Sequence, residues 1–511
     1  MDESWTRARA TDMKRCFLFD ECSIHVHRPM PFHSSAMSPG TTASLRQPTS
    51  SKALDDEYAN MDKNDSIFEA GTFKLESGLE LHKARVAYRA WGTLNAARDN
   101  AIFIAHALTG NADAKSWWGV LFGEGQPFNT SKYFVVCANM LGSCYGTTGP
   151  LDEMPTDPSP SWVLPRKGTA RDRAGTRYAA DFPYCTIRDT VGLHYNLLRH
   201  LGIEALHAVV GGSAGGMQAL EWAIMHPHFV RRVVSIACGA TQSAFQIGIS
   251  ESQRQAIYRD SLWNDGFYSL SQTPAEGLSV ARQQAMIWYR SQQAYDSKFG
   301  REYTACAGTQ GSPHGIAHSL HAARGGSAAG APPTFAVEGY LEYQGQKFIE
   351  RFDANTYVAL TRLIDSHDVG RGRGGIDAAL GRILSPVLII GISSDLLYPI
   401  EMQRELASRI PRGTLRIVTS LQGHDGFLLE GKRIGALVNA ALDAAPEEEI
   451  NTSLLSSSTS DDEGSTPRDR SLRQTASLPR TQDAMNAALA LSKTTRHPPT
   501  LSPAQEWFFG I

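Results

Sequence analysis

No apolar run in this sequence approaches the ~20 residues that a membrane-spanning helix requires, so no stretch reads as a transmembrane segment. Charge of one sign is also missing: 49 Lys and Arg stand against 52 Asp and Glu, a formal net charge of −3. No basic stripe offers itself to nucleic acid, and no acidic block mimics a polyanion. Cysteine is scarce. Seven thiols (Cys16, Cys22, Cys137, Cys144, Cys185, Cys238 and Cys306) are scattered without metal-ligand spacing, and an odd number argues against a disulfide framework. No phosphate-cradling loop or dinucleotide fingerprint is present. The first 45 residues include Asp2, Glu3, Asp12, Asp20 and Glu21, acids that a transit peptide avoids, and no secretory apolar segment follows the start. The cytoplasm is the expected compartment.

What is present is concentrated between about Phe73 and Ala445, where hydrophobic periodicity is sustained. Residues 1–65 read as a disordered extension and residues 446–511 as a disordered Ser/Thr-rich tail, leaving 66–445 as one catalytic domain. Phe73–Leu75 and Ala84–Tyr88 read as antiparallel strands around the turn Glu76-Ser77-Gly78. Ala101–His106, Tyr133–Ala138, Ala205–Val210, Arg232–Ala237, Pro386–Ile392 and Leu415–Val418 are apolar runs of the kind buried on both faces of a parallel sheet. A helix is expected over Ile187–His200 and another over Gly426–Ala444. Between about 245 and 370 strands give way to helical stretches, Gln253–Asp260, Pro274–Arg290 and Phe348–Asp365. A helical block inserted between parallel strands predicts a lid over the strand ends. Within it, residues 305–333 are rich in Gly, Ala, Ser and His; His314, His318 and His321 sit among glycines and proline, which favours a loose loop over a metal site.

The strand Ala205–Val210 runs into Gly211-Gly212-Ser213-Ala214-Gly215, followed by a sequence expected to form an amphipathic helix. Gly-x-Ser-x-Gly between strand and helix is the context of a nucleophile elbow, in which small residues allow a strained serine to stand above the sheet. The serine needs a base, and the base a carboxylate. Asp395 follows the strand ending at Ile392, and His424 follows the last strand, in the order Ser, acid, His that this arrangement uses. Asp395 also suits a capping role, and Asp425 competes as the acid, although its adjacency to His424 should turn it away. The oxyanion hole is expected from the backbone amides of Ala214 and Leu108, the latter in His106-Ala107-Leu108-Thr109-Gly110.

Several strings go further than the fold. His106–Gly110, Trp117-Trp118, Asn139–Pro150, Thr186–Asp189, Tyr340–Phe348, Arg351–Asn355 and Gly423–Phe427 resemble the homoserine O-acetyltransferase family, over about Phe73 to Ala445. The resemblance implies an α/β-hydrolase fold with a mostly parallel central sheet and an inserted helical lid. It implies a homodimer through the lid helices, with acetyl-CoA as co-substrate, L-homoserine as acceptor, no permanently bound cofactor, no metal and a ping-pong reaction. Position by position, Ser213 is then the nucleophile, Asp395 the orienting acid and His424 the base. Arg282 would grip the homoserine carboxylate, Tyr289 assist it, and Asp425 hold the amino group. A zwitterionic acceptor needs one cation and one anion so placed. Ala214 departs from the methionine usual in the family. Succinyl transfer, another hydroxyl acceptor, hydrolysis by an esterase or thioesterase, and a non-catalytic interaction protein are the competing readings. Arg371-Gly372-Arg373 is a basic loop that suits either solvent or the phosphates of CoA.

Overall fold

The runs that are apolar without interruption form the middle of one sheet. The computed structural model describes residues 65–154, 177–303 and 335–444. Its strands are β1 (Ser66–Lys74), β2 (Glu80–Trp91), β3 (Ala101–Ala105), β4 (Phe134–Ala138), β5 (Leu206–Gly212), β6 (Val233–Ile236), β7 (Val387–Ile392) and β8 (Gly413–Val418). They lie in the order β1-β2-β4-β3-β5-β6-β7-β8, antiparallel at β1–β2 and β2–β4 and parallel elsewhere. Every residue of β3 and β6 is buried, whereas the edge strands β1 and β8 are largely exposed. Alternation divides the interior in two. Ile102, Ile104, Val210, Val234 and Ile390 pack on one face, and Phe103, Ala105, Val209, Val233 and Ile389 on the other. Each such aliphatic side chain contributes roughly 1.5–3 kcal/mol by leaving water.

The helices are α1 (Ala114–Trp117), α2 (Ile187–His200), α3 (Ala214–Met225), α4 (Ala244–Tyr258), α5 (Ala275–Tyr289), α6 (Gln292–Phe299), α7 (Ala336–Ile349), α8 (Ala354–Asp365), α9 (Ile376–Leu380), α10 (Ile400–Arg409), α11 (Gly426–Leu429) and α12 (Gly431–Asp443). Helix α2 matches its expected bounds because Thr186 and Asp189 close a reciprocal capping box at its start. Helices α4 to α9 fall between β6 and β7, the position expected for an inserted block. Three expectations need correction. Phe348–Asp365 is two helices, because Asp353 breaks the run and caps α8 through Thr356 N. Gly426–Ala444 is likewise two, α11 and α12. Helix α3 is not amphipathic: every residue from Ala214 to Ile224 is buried, since the helix lies on the sheet with α2 packed against it. Its one acid, Glu221, is neutralised there by Arg188 and Arg373.

Residues 1–64 of the N-terminal extension, the His-bearing stretch 305–333 and the C-terminal tail lie outside the described residues. Among the described residues no helix is long and apolar enough to cross a membrane.

Candidate active site

Strand β5 and helix α3 meet at Ser213, which adopts φ 57° and ψ −124°. A side-chain-bearing residue in this region costs of order 1–3 kcal/mol and persists only where its surroundings enforce it. Here Ser213 N donates to Ile236 O at 2.9 Å on β6, and Met217 N donates to Ser213 O at 3.1 Å. The flanking glycines make the turn sterically possible. A Cβ on Gly211 would lie 2.3 Å from Gly215 O, and one on Gly215 would lie 2.0 Å from Ala105 O.

The turn presents Ser213 Oγ to His424 Nε2 at 2.9 Å. The other ring nitrogen, Nδ1, is 2.7 Å from Asp395 Oδ2. Asp395 is buried, and its second oxygen accepts from Leu397 N and Tyr398 N, both at 2.8 Å. The carboxylate therefore orients the imidazole and caps its own turn at once; helix α10 starts later, after Pro399. Burial pulls the His424 imidazole down, but the charge and hydrogen bond of Asp395, helped by Asp425, outweigh it and leave His424 above the ordinary imidazole range. A serine hydroxyl, an imidazole fixed in one tautomer and a buried carboxylate form a proton-relay geometry suited to acyl transfer.

The amides of Ala214 and Leu108 donate to no other described group, which leaves both available to an anion. Leu108 belongs to a loop held from behind. His106 Nδ1 donates to Ala107 O at 2.8 Å, and His106 Nε2 accepts from Met140 N at 3.0 Å. Burial lowers His106 to about 4, so the ring stays neutral and this pairing is permanent near neutral pH. Gln218, one turn into α3, reaches His106 O at 3.1 Å. The loop and the elbow are thus tied together. Ala214 itself is fully buried in the core, so its methyl does not line the cavity beside Ser213.

Arg282 on α5 and Tyr289, also on α5, line that cavity together with Ser213, His424 and Asp425. The Arg282 guanidinium is buried, lies 5.0 Å from the Phe348 ring centroid and 5.7 Å from that of Tyr289, and pairs with no carboxylate among the described residues. Burial, with the like charge of Arg351, pulls it below its ordinary value; an arginine still keeps its proton. A buried cation left without a carboxylate partner in a cavity is chemically suited to an anionic group. Asp425 does turn away from the imidazole, and one of its oxygens meets Arg290 Nε at 3.0 Å.

Sequence reasoning missed Arg290 and also Arg351, which is buried and bonds Thr109 O and Tyr145 Oη at 3.0 and 2.9 Å, tying the end of α7 to the Leu108 loop. An arginine in a string outside the elbow carried no signal without its partners. The Arg371-Gly372-Arg373 loop lies elsewhere and is occupied. Arg371 forks onto Glu76 at 2.9 and 3.0 Å, and Arg373 meets Glu221 at 2.7 Å, with Arg188 bridging the two acids. Among the described residues no cluster of His, Cys, Asp and Glu has the makings of a metal site.

A family model for the α/β-hydrolase fold matches residues 100–431. Among solved structures, the homoserine O-acetyltransferase of Bacillus anthracis is similar with a TM-score of 0.61 at 23% identity, over 75% of this chain and 98% of that one. Esterase E22 is equally similar, with a TM-score of 0.61 at 23% identity over 74% of this chain and 100% of its own. The fold by itself does not choose between a transferase and a hydrolase. Sequence does separate them: the homoserine O-acetyltransferase of Chlorobium chlorochromatii (strain CaD3) is 44% identical over 367 residues, 72% of this chain and 92% of that protein. A likeness of that degree over most of both chains places this one in the homoserine O-acetyltransferase family.

Proposed function

We propose that this protein transfers acetyl from acetyl-CoA to the side-chain hydroxyl of L-homoserine through an ester on Ser213. Ser213 Oγ attacks the thioester carbonyl while His424 Nε2 takes its proton, and Asp395 holds the resulting imidazolium. The oxyanion is met by the amides of Ala214 and Leu108. Collapse breaks the C–S bond, and His424 returns the proton to the departing thiolate. In the second half the acceptor hydroxyl gives its proton to His424 and attacks the acyl-serine, and collapse restores Ser213 with its proton. Arg282 takes the acceptor carboxylate and Tyr289 packs beside it, while Asp425 meets the ammonium. No metal or bound cofactor enters any step.

The observation that carries this reading is the unpaired, buried Arg282 in the same cavity as Asp425 and Ser213. An esterase using water has no need of a buried cation and anion beside its nucleophile. Helices α4, α5 and α7 act as the lid over this cavity. Exposed apolar residues on them, Phe245, Ile287 and Tyr343, support a homodimer formed through those helices. The cytoplasm, where acetyl-CoA and amino-acid substrates meet, is the proposed compartment.

The test is thiol release from acetyl-CoA by the purified protein, with and without L-homoserine, alongside L-serine, succinyl-CoA and a Ser213→Ala variant. Homoserine-dependent release that vanishes in the variant is expected. Equal release without an acceptor would make the protein a thioesterase, and transfer only with serine or succinyl-CoA would keep the mechanism but change its substrates.

A further inference from the structure

The turn that carries His424 and Asp425 is held by a short junction in the helical insertion. Residues Arg290 and Ser291 link α5 to α6. Arg290 Nε lies 3.0 Å from Asp425 Oδ2, and its Nη1 donates to Gln422 Oε1 at 2.9 Å. The Ser291 hydroxyl donates to Leu421 O and also caps α6 through Ala294 N. Between them Gly423, at φ 66°, approaches so closely that a Cβ there would sit 2.5 Å from Arg290 C and 2.7 Å from Ser291 N. Arg290 is 8% and Asp425 7% exposed, so this is a buried pair with little water to screen it.

We propose that Arg290 is a positioning residue of the acceptor site: its charge, 3.0 Å from one oxygen of Asp425, holds that carboxylate in place for the acceptor's ammonium. This rests on the acceptor reading given above. The second oxygen of Asp425 bonds to no described residue, and the side chain lines the cavity beside Ser213. A buried carboxylate left alone takes up a proton rather than stay charged. Burial leaves Asp425 above the ordinary carboxylate range, and Arg290 is the largest influence limiting that rise, ahead of His424 and Arg282. A protonated or swung Asp425 would no longer counter a cation. The loss would fall more on the acceptor than on the thioester, because His424 is held chiefly by Asp395, with Asp425 a lesser influence on it.

The experiment separates the two halves of the reaction. Acylation of Ser213 is followed as the p-nitrophenolate burst from p-nitrophenyl acetate, and transfer as the homoserine dependence of thiol release. In Arg290→Gln the KM for homoserine should rise about tenfold or more, as loss of a buried charge partner does, while the burst rate falls by a clearly smaller factor. Arg290→Lys, which keeps the charge but not the second contact to Gln422, should recover part of the loss. The decisive measurement is the double variant. If Arg290 acts through Asp425, then Arg290→Gln added to Asp425→Asn raises KM by no more than about twofold beyond Asp425→Asn alone. Equal losses in burst rate and in transfer, or full additivity in the double variant, would reduce Arg290 to a brace for the turn and overturn the proposal. Should Arg290→Gln fail to fold, Arg290→Lys in the same cycle gives the same readout. Absence of homoserine-dependent transfer in the unmodified protein would sink the acceptor reading instead, a distinguishable outcome.

Discussion

The elbow and the proposed acceptor end of the cavity are built in opposite ways. Around Ser213 the parts are local: five consecutive residues, one strand, one helix, and backbone atoms of the adjacent strands. At the acceptor end Arg282, Tyr289 and Arg290 come from the insertion, whereas Asp425 comes from the turn after β8, more than 130 positions on from Arg290. The first is held by sterics, as a Cβ on Gly215 would strike Ala105 O. The second is held by charge and hydrogen bonding between distant segments. Local construction preserves a reaction type; assembly across the insertion leaves the acceptor open to change.

The comparison predicts that damage at the elbow abolishes all chemistry. Asp395→Asn leaves the fold intact but lets the imbalance of donors choose the wrong His424 tautomer, so kcat should fall about 10⁴-fold. The pH profile sharpens this. His424 must be neutral to accept the serine proton, and Asp395 is the leading influence that raises it against burial. Activity of the unmodified protein should therefore drop as pH falls through a value above the ordinary imidazole range. In Asp395→Asn that limb should move to lower pH, measurable on the residual burst. An unmoved limb would mean that another group sets it. Gly215→Ala comes next. Its Cβ meets backbone at 2.0 Å, which no rotamer change can relieve, so unfolding stability should drop by about 3 kcal/mol or more. Thermal melting with acylation measured side by side would show whether the strain falls on the fold or on Ser213.

This division also explains what could be read in advance. Glycines flanking a serine between an apolar strand and a helix announce themselves, and Asp395 and His424 follow the ends of recognisable strands. The central strands were legible because burial on both faces demands unbroken apolar runs. Pattern failed where packing overrode it. Asp353 interrupts an otherwise helical run with a cap, and α3 reads as half-polar although Glu221 is buried and neutralised by two arginines. Arg290 and Arg351 were invisible for the same reason: a buried arginine is defined by partners, and Asp425 and Thr109 are respectively 135 and 242 residues away from them. The resemblance pointed to Arg282 and Asp425, yet gave no hint that Asp425 would need a partner of its own.

At the acceptor end, Arg282→Met should keep volume and lose the cation. The kcat/KM for homoserine is then expected to fall by roughly 2–4 kcal/mol in transition-state terms, about 30- to 10³-fold, with the p-nitrophenyl acetate burst far less affected. Water should become the favoured acceptor of the acyl-enzyme, so the ratio of hydrolysis to transfer ought to rise. Equal loss in both half-reactions would break the comparison, because Arg282 would then serve the shared chemistry and not the acceptor.

The smallest effect is expected where sequence offered the most tempting electrostatics. Arg371 is half exposed and forks onto Glu76, itself accessible and already paired with Arg188. Its charge is spent within the protein, joining the loop before β7 to the turn after β1. Exposed pairs contribute about 0–1 kcal/mol, so Arg371→Ala should shift stability by no more than that and leave KM for acetyl-CoA within about twofold. Arg373 provides the internal control, since it meets Glu221 in the interior and its loss would leave that buried carboxylate to Arg188 alone. Arg373→Ala should accordingly destabilise by clearly more than Arg371→Ala while its effect on KM for acetyl-CoA stays small. A large rise in that KM from Arg371→Ala alone, with melting unchanged, would show that the loop opens to receive the donor's phosphates, and the division between a local acyl end and an assembled acceptor end would then need a third, donor-binding region.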